Sequence, residues 1–407
     1  MVPNEWVTKD LRSISLLITK GSTPTTYGHE FVEQSGNSIR FVGAYNCSFD
    51  GKFKSDSEKW ISKEADELLK RSKLNDKDCI ICIVGNTIGS NFLVSKEIIP
   101  ANINQNVAII RADERKVNSK YLHYWIMSPY IQYQVQQEAS TQAQPSLSLK
   151  QVGDFTIALP PLNEQKRIAK ILSTWDKAIN TTEQLLANSQ RQKKGLMQQL
   201  LTGKKRLLDS NGMRFSGEWR PYNLSDIAII IMGSSPKSEA YNEDGVGLPL
   251  LQGNADVKNR KSAPRIFTSE ITKECAIGDI LLSVRAPVGT VAISEHKACI
   301  GRGIAAIKAK RKFDQDFIYQ WLLWFEKRWC SLSQGSTFES INSDDIKQLI
   351  IRVPDFGEQV KIAAVLSTAD QEITALQQKL AALKQEKKAL MQQLLTGKRR
   401  VKVEEAA

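Results

Sequence analysis

The chain repeats itself, and that repeat constrains its fold more tightly than its composition does. KKGLMQQLLTGKKRL, from Lys193 to Leu207, recurs as KKALMQQLLTGKRRV from Lys387 to Val401, a shift of 387 − 193 = 194 residues. The match runs upstream at the same shift, where NEQKRIAKILSTWDKAIN from Asn163 aligns with GEQVKIAAVLSTADQEIT from Gly357. Ahead of these blocks the halves share only short anchors in the same order, with changing offsets that mark insertions and deletions. Glu5-Trp6 answers Glu218-Trp219, GSTP at 21–24 answers GSSP at 233–236, and TIGS at 87–90 answers PVGT at 287–290. NVAIIRA at 106–112 likewise answers GIAAIKA at 303–309, and YLHYW at 121–125 answers FIYQW at 317–321. A duplicated order of anchors makes each half one structural unit, a diverged globular domain followed by a nearly invariant helix.

The repeated blocks carry apolar residues at a three-four spacing. In the first, Ile168, Leu172, Trp175, Ile179, Leu186, Leu196 and Leu200 fall on the seam, with Thr182, Ser189 and Lys193 between them. In the second, the seam is Ile362, Leu366, Ile373, Leu376, Leu380, Leu383, Leu390 and Leu394, with Ala369 and Lys387. A heptad seam sustained over roughly 40 residues predicts a rod of about 60 Å whose apolar edge needs a partner. Pro160-Pro161 marks the first start, Asp355 and Glu358 read as a capping box at the second, and Gly203 and Gly397 supply the stops. The two helices are expected to pair with each other as an antiparallel coiled coil, since a globular domain separates them in the chain. Lys193 and Lys387 sit on the seam near the helix ends, where they either fix the register or snorkel to water.

The globular parts read as mixed α/β. The apolar runs CIICIVG (79–85), NVAIIR (106–111), DILLSVR (279–285) and GIAAIK (303–308) predict buried strands, broken by Gly, Asn and Pro. The best helical patterns in the domains run from Ser119 to Gln137 and from Gln315 to Leu332.

Few enzyme classes survive inspection. There is no G-x-x-x-x-G-K-[ST] phosphate loop, no glycine-rich cofactor loop after a strand, no Asn/Asp-Pro-Pro-aromatic quartet and no H-E-x-x-H pair. Cys79-x-x-Cys82 lies in a strand-like run, where residues three apart point to opposite faces, and no second Cys/His pair complements it. All six cysteines, at 47, 79, 82, 275, 299 and 330, are therefore expected in packing roles in a reducing compartment. His29, His123 and His296 suggest neither a metal site nor a triad. Asp355, Glu358 and Lys361 imitate a nuclease site, but the first copy carries Pro161 where Asp355 stands. With 41% hydrophobic and 25% charged residues and no apolar stretch of about 20 residues, a cytoplasmic globular protein is expected. A formal net charge of +12 favours polyanionic partners.

PPLNEQKRIAKIL at 160–172 and its copy VPDFGEQVKIAAVL at 353–366, each after a diverged domain and each running into LMQQLLTGK, resemble the specificity subunits of type I restriction-modification systems over the whole chain. Asp355-Phe356-Gly357 departs from the family's Pro-Leu lead-in. The resemblance implies two target recognition domains, at 1–159 and 204–352. These are joined by two long antiparallel coiled-coil helices, at 160–203 and 353–400, in a pseudo-two-fold internal repeat, with a tail at 401–407. It further implies a non-catalytic chain in which each domain reads half of a bipartite DNA site. The helices would set the spacer and dock two methyltransferase subunits and, through them, restriction subunits. S-adenosylmethionine, ATP and Mg are expected on those partners and no cofactor on this chain.

Readers of DNA need phosphate contacts for affinity and polar groups at base edges for specificity. The first domain's loops offer Thr23, Thr25, Arg40, Asn46, Lys52, Lys54, Asn86, Thr87, Asn104 and Gln105; the second's offer Lys237, Gln252, Asn254, Lys258, Arg260, Lys261, Arg285 and Arg302. Two alternatives stand beside this reading: a specificity subunit serving a fused restriction-methylation enzyme, and a coiled-coil adaptor that binds no DNA.

Overall fold

The computed structural model describes residues 3, 5–140, 144–329 and 340–401. Cys330, the end of the helix expected over Gln315 to Leu332, and residues 402–407 of the tail lie outside the described residues. The chain forms two compact units, one of Met1–Thr182 with Lys379–Ala407 and the other of Glu183–Gln378. This division cuts both long helices, Leu162–Leu200 and Phe356–Leu395, so each unit holds the start of one helix and the end of the other.

The first unit has a four-stranded antiparallel sheet in the order Ser15–Lys20, Val107–Ala112, Cys79–Cys82, Asn91–Leu93. A three-stranded sheet runs Lys59–Ile61, Ile39–Val42, Ala101–Ile103, its last pair parallel. A short ladder pairs Val7–Asp10 with Thr156–Leu159. The strand Cys79–Cys82 is buried on both faces: Cys79 and Ile81 pack with Tyr121, Leu122 and Val135, while Ile80 and Cys82 pack with Val42 and Ile103. The two thiols thus point to opposite cores, as their spacing predicts. Among the described residues no group of side chains could hold a metal.

The second unit repeats this plan. Its strands Ala228–Met232, Ile304–Ala309, Ile280–Ser283 and Val291–Ile293 stand in the same order, extended by the hairpin Val257–Lys258/Lys261–Ser262. In the companion five-stranded sheet, Leu248–Leu251 and Ala298–Ile300 form the parallel pair. All four predicted apolar runs are strands. The helix expected from Ser119 to Gln137 is instead two, Ser119–Met127 and Pro129–Glu138. Proline disfavours helical backbone at the residue before it, so Ser128 turns out of the helix and its hydroxyl caps Ile131. In the second unit a helix spans Gln315–Phe325, followed by one tighter turn, Glu326–Arg328.

Inside each unit the helix halves run antiparallel. In the first, Ile168 and Leu172 share a core with Leu394 and Met391, and Asp176 Oδ1 binds Lys387 Nζ at 2.5 Å. In the second, Ile362 and Leu366 share a core with Leu200 and Met197, and Asp370 Oδ1 binds Lys193 Nζ at 2.5 Å. Both seam lysines therefore carry an ion pair, with side chains only 12% exposed. Every seam position is buried or half-buried, from Trp175, Ile179 and Leu186 to Ile373, Leu376, Leu380 and Leu383.

The helix starts are locked by the Glu-Gln dipeptide of the repeat. Gln165 takes the Asn118 N–H on its carbonyl and donates to the Lys116 and Pro160 carbonyls. Gln359 does the same with the Asp314 N–H and the Pro354 carbonyl. Glu164 accepts from Arg400 and from Trp6 Nε1 at 3.2 Å. Glu358 accepts two bonds of 2.7 Å from Arg206. That geometry corrects the capping box expected of Asp355 and Glu358: the buried Glu358 carboxylate is taken by Arg206, and the turn closes through the Asp355 carbonyl instead. The stops are left-handed, with φ of 71° at Gly203 and 72° at Gly397, a backbone that glycine adopts without steric cost. Gly203 packs on Trp219, whereas Gly397 packs on Pro3 and Trp6.

Candidate nucleic-acid interface

Each unit gathers three loops where its parallel strand pair ends. In the first, Val42 and Ile103 are the last paired residues; the Val42 carbonyl then takes the Asn104 N–H at 3.0 Å. In the second, Leu251 and Ile300 end the pair, and the Leu251 carbonyl takes the Gly301 N–H at 2.8 Å. Asn104 and Gly301, and therefore Gln105 and Arg302, are equivalent positions. The third loop is the GSTP/GSSP anchor. A Cβ on Gly21 would lie 1.7 Å from the Ile103 carbonyl oxygen, and one on Gly233 would lie 2.1 Å from that of Gly301, so only glycine allows the approach.

That approach sets Thr23 against Gln105, to which its hydroxyl donates, and Ser235 against Arg302. Ser235 Oγ accepts from the Arg302 backbone N–H at 3.2 Å and from its Nε at 3.4 Å. Gln252 lines the second cluster, since a Cβ on Gly301 would meet it at 3.3 Å. In the first, Asn104 approaches Gly43, and Tyr45 OH donates to the Phe41 carbonyl at 3.1 Å. Burial pushes the Tyr45 phenol up to about 12, so it stays neutral.

The other expected contact residues divide by what already occupies them. Arg40 binds Glu58 and the carbonyls of Glu97 and Ile98, with its guanidinium over Trp60. Asn46 is buried, bonding the Gly43 N–H and the Lys54 carbonyl. Arg260 forks onto Glu326 and reaches the Val291 carbonyl; it and Asn259 form the two-residue hairpin turn, with φ of 64° and 50°. Lys261 pairs with Glu295, and Lys52 lies 3.9 Å from Asp50. These side chains serve their own domain.

Thr25, Lys54, Lys237, Lys258 and Arg285 are exposed, and no side-chain ion pair involves them among the described residues. Asn254 opens the short turn that carries the buried Asp256. Asn86 and Thr87 occupy a turn hung from the Asn106 carbonyl by the Ile83 N–H, and Arg285 occupies its counterpart, hung from the Gly303 carbonyl by the Val284 N–H. Ser235 escaped sequence reasoning, although its match to Thr23 within GSSP was a usable signal. No helix among the described residues is long and apolar enough to cross a membrane.

Comparison with known proteins bears on this arrangement. Residues 3–188 and 216–385 match the family described as type I restriction modification DNA specificity domain. The chain is 35% identical over 308 residues to the putative type I restriction enzyme MjaX specificity subunit of Methanocaldococcus jannaschii, spanning 73% of this chain and 72% of that protein. It superposes with a TM-score of 0.61 and 26% identity on a chain from a structure of type I R-M complex assembly and conformational transition, covering 97% of this chain and 98% of that one. The HsdS subunit from Thermoanaerobacter tengcongensis gives a TM-score of 0.50 at 26% identity, over 97% and 98% of the two chains. The specificity-domain model matching both halves, together with a relative 35% identical over most of both chains, places this chain in the family of type I restriction-modification specificity subunits.

Proposed function

We propose that this chain is the address-reading subunit of a type I restriction-modification complex, with the domain at 1–159 reading one half of a split DNA site and the domain at 204–352 the other. The segments 160–203 and 353–400 set the gap and hold two methyltransferase subunits, which carry S-adenosylmethionine and methylate adenine at N6. Restriction subunits with ATP and Mg join through them. The observation that carries this reading is the contrast inside the repeat: the helix locks keep the same residues in both units, whereas the equivalent loop tips differ, Gln105 against Arg302. One constant partner and two different DNA sequences would produce that contrast.

The test maps methylated adenines made by this chain with its cognate methyltransferase in a methylation-free host. A split motif with a fixed gap is expected. Inserting one heptad after Thr182 and another after Leu376 preserves the seam and lengthens each helix by about 10 Å, about three base pairs, so the gap should widen while both half-sites stay unchanged. An unsplit motif, or an unchanged gap in a well-folded insertion variant, would refute the spacer role.

A further inference from the structure

One loop position in each unit holds a side chain that is exposed, braced on its own domain, and left with hydrogen-bonding groups unused. We propose that Gln105 and Arg302 are the same base-reading position in the two domains, Gln105 selecting an adenine in one half-site and Arg302 a guanine in the other. The proposal rests on the DNA-reading role given above.

The equivalence is structural. Each residue lies two positions beyond the last residue of the parallel pair, Ile103 or Ile300, and each meets the hydroxyl from the GSTP/GSSP loop. That hydroxyl limits the rotamers of a long side chain, so less freedom remains to be lost on contact with DNA. The brace also leaves the recognition edge open. Within the Arg302 side chain Ser235 engages only Nε, so both terminal nitrogens of the guanidinium remain a fork for guanine O6 and N7. Thr23 occupies one lone pair of Gln105 Oε1, which leaves the second to accept from adenine N6 and the amide NH2 to donate to N7. Arg40 and Arg260 make the contrast: Glu58 and the carbonyls of Glu97 and Ile98 take Nε and one terminal nitrogen of the first, and Glu326 takes both terminal nitrogens of the second.

The test selects binding sites from randomised duplexes with the assembled complex carrying Arg302→Gln or Gln105→Arg. Arg302→Gln is expected to move one position of one half-site from guanine to adenine, and Gln105→Arg to make the reverse change in the other half-site. The preference at each altered position should shift by at least about 10-fold. An unchanged consensus would overturn the proposal while leaving the split-site reading intact. So would an equal loss of affinity across all sequences with a salt slope reduced by about one, the signature of a phosphate contact. If the parent complex selects no split site, the reading beneath the proposal fails as well.

Discussion

The helix locks and the loop tips of this chain have diverged very differently since duplication. Glu164 and Glu358, Gln165 and Gln359, Arg400 and Arg206, and the pairs Asp176–Lys387 and Asp370–Lys193 are the same residue types in the same contacts. At the loop tips only the glycine approach and the bracing hydroxyl persist, while the side chain presented has changed. The lock residues are buried and must satisfy one another, so a change in one leaves its partner stranded. The tip side chains are exposed and, among the described residues, each has a single hydrogen bond within its domain, to the bracing hydroxyl. Likeness between the halves therefore reports internal constraint at the helix starts as much as a shared partner.

The largest effect should come from breaking one lock. Arg206→Ala leaves the Glu358 carboxylate, whose side chain is 1% exposed, without its cation in the second unit, a loss of about 3 kcal/mol or more. Arg400→Ala should cost less, because Trp6 Nε1 still donates to Glu164, whereas Trp219 Nε1 has no hydrogen-bond partner among the described residues. Denaturant unfolding of both variants tests that order. Equal losses would show that the tryptophan bond contributes nothing to the difference.

A second effect separates the units by pH. The buried His123 of the first unit stands where the second has Tyr319, and burial lowers its imidazole from 6.5 to about 4, with Lys387 lowering and Asp176 raising it. Above pH 6.5 it is neutral in both folded and unfolded chain. As pH falls from 6.5 to about 4 only the unfolded chain takes up the proton, so His123 lowers stability by about 3 kcal/mol across that window and adds no further change below it. His123→Phe should flatten this part of the stability profile. A profile unchanged by the substitution would remove His123 as its source.

A smaller loss is expected from Asp370→Asn, which leaves the half-buried Lys193 ammonium without its carboxylate. Asp370 also accepts from Gln320 Nε2 at 2.9 Å, so its amide replacement perturbs two bonds, for about 1–2 kcal/mol. Asp176→Asn in the first unit removes the same kind of pair and a bond from the Tyr124 hydroxyl of 2.5 Å. Thermal melts in which one substitution is silent and the other is not would break the equivalence of the two registers.

Much of the architecture was legible because it follows from periodicity. The heptad seam, the buried strands and the glycine stops each rest on local sequence. The break at Ser128-Pro129 was equally local, and the apolar spacing of Ser119 to Gln137 masked it. The lock was visible as a repeated Glu-Gln but not interpretable, because Arg206 lies 152 residues from Glu358 and Arg400 lies 236 from Glu164. The same limit applies to the residues proposed to read bases. Residue type nominated Arg40 and Arg260 along with Arg302, and only the fold shows that Glu58 and Glu326 occupy the first two.

The finest comparison lies two residues beyond each bracing hydroxyl, where the first unit carries Thr25 and the second Lys237, both exposed. Lys237 bonds Glu270 through its backbone N–H alone, which leaves the ammonium available to a phosphate. Lys237→Thr should weaken DNA binding by the same factor on every sequence and lower the slope of log K against log salt by about one, because one fewer counterion is released. Thr25→Lys should do the opposite in the first unit. Neither change should alter the bases selected, since a point charge on a phosphate carries no sequence information. A changed consensus in either variant would mean that this position contacts bases, as proposed for Arg302, rather than the phosphate backbone.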